Sequence, residues 1–236
     1  GTDAMLKWLY ENGYKIDFAI IGEPTCLRNF GDGLKIGRRG SMSFNLDIKG
    51  VQGHVACPDN ALNPIPIMAK IVNELNITQI DAGNENFEPS NLEFTCINVN
   101  NKANNVIPPL IRADMNIRFN TEQTPETLIK FVDNIVQKHT QNYDLNYYCS
   151  SLPFVISPID FHYKFVDIVE HHTGFKPDFR TNGGASDAKF IKNYCPLLEF
   201  GPINKTAHKI NESVDIKDLQ TLENVYYDAI FKFLGD

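Results

Sequence analysis

Two stretches of the chain alternate strictly between apolar and polar residues. Met42, Phe44, Leu46 and Ile48 alternate with Ser43, Asn45, Asp47 and Lys49. Ile111, Ala113, Met115, Ile117 and Phe119 alternate with Arg112, Asp114, Asn116 and Arg118. A period of two predicts strands with one buried and one wet face. Between them Pro64 opens a helical stripe of Ile67, Met68, Ile71, Val72 and Leu75, and a strand follows over residues 92–99. Beyond them Thr124-Pro125 is a cap followed by a first-turn proline, and the helix it starts places Leu128, Phe131, Val132, Ile135 and Val136 on one side. A last strand carries Leu145, Tyr147 and Cys149. Residues 41–150 therefore read strand, helix, strand, strand, helix, strand, the order of a ferredoxin-like α+β domain.

The flanks, 1–40 and 151–236, read as one discontinuous α/β domain that this segment interrupts. Thr2 or Asp3 caps a first helix with Met5, Trp8 and Leu9 on one face and Gly13 as its stop. Phe18-Ala19-Ile20-Ile21 is a short apolar strand, closed by Gly22 and Pro24. Leu34 and Ile36 alternate with polar neighbours in another. After Pro158 come a helix rich in phenylalanine and valine, a glycine-rich turn at 182–187, a second short apolar strand, Pro196-Leu197-Leu198-Glu199-Phe200, and a final amphipathic helix over about 215–234.

The 236 residues carry a net charge of −7 with no block of like charges, which argues against a nucleic-acid or membrane-surface partner. No apolar run approaches the roughly 18 residues of a membrane span. The five cysteines are scattered, with no Cys-x-x-Cys, and read as free packing thiols of a reducing cytoplasm.

Glu23 sits just past the end of a strand, where α/β sheets bind ligands. His208 also follows a strand end, and carboxylate with imidazole is a common zinc pair. Each alone reads equally as a loop residue. Ser186 and Asp187 after two glycines form either an anion-binding turn or a plain helix cap. Arg38, Arg39 and Arg118 offer forks for substrate carboxylates, although arginines on a wet sheet face are usually only solvated. His54 lies in a loop between glycine breaks. No Gly-x-Ser-x-Gly, no phosphate loop and no Gly-x-Gly-x-x-Gly is present.

Six motifs occur in order: Gly22-Glu23-Pro24-Thr25, Gly37-Arg38-Arg39-Gly40-Ser41, Gln52-Gly53-His54-Val55-Ala56, Asn104-Asn105-Val106-Ile107-Pro108, Gly183-Gly184-Ala185-Ser186-Asp187 and Glu199-Phe200-Gly201-Pro202, with His208 behind the last. Together they resemble the di-zinc amidohydrolase family of desuccinylases, acetylornithine deacetylases and carboxypeptidases, its desuccinylase branch above all. The resemblance runs the length of the chain. It implies a zinc-peptidase-like α/β catalytic domain, partial here, interrupted by a ferredoxin-like lid and dimerisation domain. It implies that Glu23 binds one zinc and His208 the other, with cobalt able to replace zinc. It implies that His54 steadies the tetrahedral intermediate in a partner subunit. It implies substrate contacts from Arg38, Arg39, Asn104, Asn105, Arg118, Ser186 and Asn204. The activity implied is removal of succinate from N-succinyl-diaminopimelate by a cytoplasmic homodimer.

The chain departs from the pattern in three places. Ala185 replaces the usual Thr before Ser-Asp, and Ala188-Lys189-Phe190 replaces Gly-Arg-Phe. The family's His-x-Asp, bridging Asp and Glu-Glu pair, which includes the general base, have no counterpart here. The expectation is the carboxyl-terminal portion of the enzyme, inactive alone. Alternatives are a deacetylase or carboxypeptidase of the same family, or a non-catalytic dimerisation or binding remnant.

Overall fold

The computed structural model describes residues 1–235. The chain begins with α1 (Thr2–Glu11), β1 (Ala19–Ile21), β2 (Gly33–Lys35), β3 (Gly37–Arg38), β4 (Gly40–Lys49) and β5 (Gly53–His54). After a single 3-10 turn come α2 (Pro64–Ile77), β6 (Asn91–Asn98), β7 (Val106–Ile107), β8 (Leu110–Phe119), α3 (Pro125–His139) and β9 (Tyr143–Ser151). The last third holds β10 (Phe154–Val155), α4 (Asp160–Thr173), β11 (Asp178–Arg180), α5 (Ala188–Ile191), β12 (Leu197–Glu199) and α6 (Ile216–Leu234). Two compact units result, one of Gly1–Arg38 with Phe154–Asp236 and one of Arg39–Pro153. No helix among the described residues is long and apolar enough to cross a membrane.

The contiguous unit is a four-stranded sheet of order β6-β8-β4-β9 with every pairing antiparallel. β4 and β8 pair in register over ten residues, Gly40↔Phe119 to Lys49↔Leu110. Met42, Phe44, Leu46 and Ile48 share one face with Ala113, Met115 and Ile117, and this face is buried under Met68, Ile71 and Leu75 of α2 and Leu128, Val132 and Val136 of α3. Both helices thus cover the same side, as the alternation demands. Asn63 and Thr124 cap them through their side chains, each ahead of a first-turn proline. The other face is polar and closed by cross-strand pairs: Arg112 with Asp47, Lys49 with Asp144, Asn45 with Asp114.

The discontinuous unit has a sheet of order β1-β12-β2-β11. β1 runs parallel to β12 and β2 parallel to β11, while β12 and β2 meet antiparallel at Glu199↔Lys35. Phe165, Val166 and Val169 of α4 and Val225 and Ala229 of α6 bury Leu34, Leu198 and Phe200. Phe18 stacks on Phe161 at one end of this core, and Phe233 meets Phe18 edge-on.

Three local expectations change. The first helix buries Leu6, whereas Met5 and Trp8, expected on its packed face, are more than half exposed. β2 has no wet side: Lys35 is only 2% exposed. The segment around His54 is extended rather than loop, because Gly53 and His54 pair with Ile107 and Val106.

His162, fully buried on α4, ties that helix to the sheet. Its Nε2–H donates to the Leu197 carbonyl at 2.9 Å and its bare Nδ1 accepts the Ile159 N–H at 3.1 Å. A second ring proton would face an N–H, so only the neutral tautomer fits. Burial accordingly holds the imidazole below its ordinary range. A base with a depressed folded-state value contributes stability that is complete above the unfolded pKa of about 6.5 and is lost as pH falls through the folded one. Urea midpoints should therefore drop between pH 7 and pH 5, and His162→Gln should flatten that slope. An equally steep slope in the variant would refute this account.

Candidate functional site

β1 and β12 lie side by side, so the loops leaving their carboxyl ends emerge together. Gly201 makes the close approach possible: a Cβ there would lie 2.5 Å from the Glu23 carbonyl oxygen. The buried Thr25 hydroxyl fastens the loop, donating to the Gly33 carbonyl at 2.9 Å and accepting the Gly201 N–H at 3.2 Å. Cys26 accepts the Gly31 N–H, and burial pushes its thiol pKa up. The carboxylate of Glu23 is 41% exposed, with Oε2 4.0 Å from Nη2 of Arg38.

Below it is a buried charge cluster. Glu199, the last residue of β12, is 1% exposed. Arg38 donates to it from Nε, at 3.0 Å from Oε1, and from Nη2 to Oε2. The Ser186 hydroxyl donates to the same Oε1 at 2.6 Å. The Nη1–H of Arg38 goes to the Gly184 carbonyl at 2.7 Å. Lys35, directly across from Glu199, is also buried, and burial together with the Arg38 charge pulls its ammonium down to about 8. Gly183, at φ 96°, is laid over both cations: a Cβ on it would meet Lys35 Nζ at 2.6 Å and Arg38 Nη1 at 3.2 Å. The side-chain oxygen of Asn182, in the same turn, is buried without a donor.

The loop after β12 carries Asn204 and His208. Asn204 donates its N–H to the Cys26 carbonyl at 2.9 Å, and Thr206 closes the loop on Ser213. His208 is exposed at φ 62°, a left-handed conformation uncommon outside glycine. A catalytic zinc usually takes three protein ligands. Among the described residues no group of three or more His, Cys, Asp or Glu could hold a metal ion. One half-exposed carboxylate and one exposed loop imidazole do not make a centre, so Glu23 and His208 alone do not fit a catalytic zinc.

The remaining candidates belong to the contiguous unit. His54, exposed, accepts the Ala56 N–H on Nδ1 at 3.0 Å. Asn104 and Asn105, also exposed, precede β7, and the Val55 N–H donates to the Asn105 carbonyl at 3.1 Å. The β5–β7 pairing thus brings His54 and the two asparagines together. Arg118 stands across from Ser41 and Asn91, with Arg39 bound to Asn91 through Nη1 at 2.8 Å. Burial and the Arg39 charge hold the Arg118 guanidinium below its ordinary value. Arg112, by contrast, is paired with Asp47.

Residues 36–144 match the peptidase dimerisation domain family. The succinyl-diaminopimelate desuccinylase of Rickettsia rickettsii is 50% identical over 238 residues, 99% of this chain and 62% of that protein. The chain is similar to succinyl-diaminopimelate desuccinylases along nearly its whole length. The desuccinylase of Orientia tsutsugamushi is 49% identical over 99% of the chain. The chain spans about 60% of the length of these desuccinylases. Among solved structures, a Staphylococcus aureus tripeptidase matches 97% of the chain and 60% of its own at TM-score 0.76 and 18% identity. An M20 family metallo-carboxypeptidase from Sulfolobus solfataricus matches 96% of the chain and 66% of its own at TM-score 0.74 and 13% identity. The fold is that of these peptidases.

Lys35 is absent from the sequence motifs, and Glu199 stands in one of them without a role. The available signal was a lone charge inside each short apolar strand. Removing one partner of a buried ion pair leaves the other uncompensated, at a cost of about 3–5 kcal/mol. Arg38→Met should lower the urea-derived unfolding free energy by that order, while Arg118→Ala, which breaks no ion pair, should change it by less than about 1 kcal/mol. Equal losses would contradict the clamp.

Proposed function

We propose that the chain is part of a cytoplasmic zinc-dependent amide hydrolase that removes succinate from N-succinyl-LL-2,6-diaminopimelate, in diaminopimelate and lysine biosynthesis. The identity with named desuccinylases over 99% of the chain carries this reading. Deacetylases and carboxypeptidases of the same fold are the nearest alternatives. The five free thiols accord with a reducing compartment.

In this reading Glu23 and His208 each supply one metal ligand, and the others come from outside this chain. A bound metal would supply electrophilic activation of the amide and an acidified water. The chain's own residues do the rest. Arg38, Ser186, Asn204, Arg39, Asn104, Asn105 and Arg118 are the substrate contacts of this reading. Arg39 and Arg118 form a cationic pair with no carboxylate on it among the described residues, suited to a substrate carboxylate. His54, exposed beside the two asparagines, donates to the developing oxyanion in the site of a partner subunit.

The ligand count also favours a second reading, a non-catalytic dimerisation or binding module. Dialysed protein should retain fewer than two zinc ions per chain and show no desuccinylation. Adding the remainder of a desuccinylase relative, fused or as a separate chain, should restore both. General-base assistance alone is worth about 10²–10⁴ in rate, so the gain should be at least of that order. Two zincs and turnover in the chain alone would refute the ligand count, and no turnover after complementation would favour the binding module.

The contiguous unit is proposed to form the homodimer. Ile65, Met68, Val72, Ile97 and Ile111 line an apolar groove of about 410 Å³ beside the open edge of β6. Sedimentation at high protein concentration should give the mass of a dimer, and Ile97→Asp should give that of a monomer. A wild-type monomer would exclude the interface.

A further inference from the structure

We propose that Glu199 is the positioning residue of the site, fixing Arg38 as a donor and Ser186 as an acceptor for the α-amino-acid end of a substrate. The inference rests on the reading of Arg38 and Ser186 as substrate contacts and names the part of the substrate they take.

A guanidinium has five N–H donors. Arg38 uses its side edge, Nε and Nη2, on Glu199 and one Nη1–H on the Gly184 carbonyl. One N–H on each terminal nitrogen is left, with Nη2 on the side of the half-exposed Glu23. Arg38 is 5% exposed, and these two are the N–H groups that no hydrogen bond within the protein holds, so they are the ones left for an added carboxylate. Ser186 is in the opposite state. Its only hydrogen is committed to Glu199 Oε1, and one lone pair takes the Ala188 N–H at 3.3 Å. It can therefore offer a ligand only a lone pair, which suits an ammonium. Nε of Arg38 and Oγ of Ser186 both contact Glu199 Oε1, so donor and acceptor are adjacent. Glu199 cannot drift. It is the terminal residue of β12, paired to β1 on one side and β2 on the other, and almost wholly buried.

A carboxylate beside an ammonium is an α-amino-acid terminus, and diaminopimelate has one at each end. Succinate has carboxylates and no N–H. The two products of the proposed reaction should therefore be told apart at Arg38.

The test uses the 236-residue chain labelled with ¹⁵N-arginine, observing the Arg38 side-chain N–H signals by NMR during titration with diaminopimelate or with succinate. Diaminopimelate should shift them saturably and succinate should bind more weakly. Glu199→Gln, if folded, should weaken diaminopimelate by about tenfold, because a charged clamp is lost. Ser186→Ala keeps the Arg38–Glu199 pair and remains informative if Glu199→Gln does not fold. It should weaken diaminopimelate several-fold and leave succinate unchanged. Equal weakening of both ligands, or unchanged diaminopimelate affinity in either folded variant, would overturn the positioning role while leaving the substrate site in place. No shift in the wild type with either ligand would overturn the positioning role and the substrate assignment together. Loss of desuccinylation after complementation, with the Arg38 shifts intact, would count against the proposed activity only.

Discussion

A carboxylate that is 1% exposed has to be met by donors from its surroundings, because transfer from water without them costs several kcal/mol. Glu199 meets this requirement with three: two N–H groups of Arg38 and the Ser186 hydroxyl. The geometry around it follows. Arg38 is at the end of β3, which β10 pins by antiparallel pairing at Phe154↔Arg38. Ser186 is in the turn that Gly183 and Gly184 fold over the cations, and Gly183 adopts a φ of 96° that a side chain would resist. Lys35 then completes the charge balance against Glu199 and Glu23. The short strands of this unit, two or three residues each, gain their definition from these polar contacts as well as from the phenylalanine core.

The contiguous unit was the more legible in sequence, for a physical reason. Its sheet is covered on one side only, so burial and exposure alternate along β4 and β8 and print a period of two on the chain. Its helices announce themselves through Asn63-Pro64 and Thr124-Pro125. The other unit offers no such code. β2 and β12 are buried on both faces, so Lys35 and Glu199 cannot be assigned to an inside or an outside by alternation. The exposure of Met5 and Trp8 was hidden for the converse reason, since an apolar stripe predicts a packed face whether or not this chain covers it. Of the site, the motifs pointed to Glu23, Arg38, Ser186 and His208. The partner that organises two of them was invisible because nothing in Pro-Leu-Leu-Glu-Phe says where its carboxylate points.

The polar face of the contiguous sheet has its own logic. Arg112 with Asp47, Asn45 with Asp114 and Asn116 with Ser41 and Ser43 are cross-strand neighbours. Each exposed pair contributes little stability by itself. Their combined effect is on register: a slip of one residue would expose Phe44 and Leu46 and bury Asn45 and Asp47. Arg118 breaks this pattern: its charged neighbour is Arg39, which bonds Asn91, and no carboxylate pairs with either among the described residues.

The pairing of β1 with β12 has a consequence for how the chain is made. Ala19 finds its partner, Leu197, about 180 residues later, whereas β4, β8 and β9 all lie within a single uninterrupted segment. At a synthesis rate of roughly 5–20 residues per second, β1 waits on the order of ten to thirty seconds on the ribosome before its neighbour exists. The contiguous unit can be finished in that interval. Vectorial synthesis thus imposes an order of assembly in which the ferredoxin-like unit forms first and the discontinuous sheet closes last, after the Glu199 strand emerges.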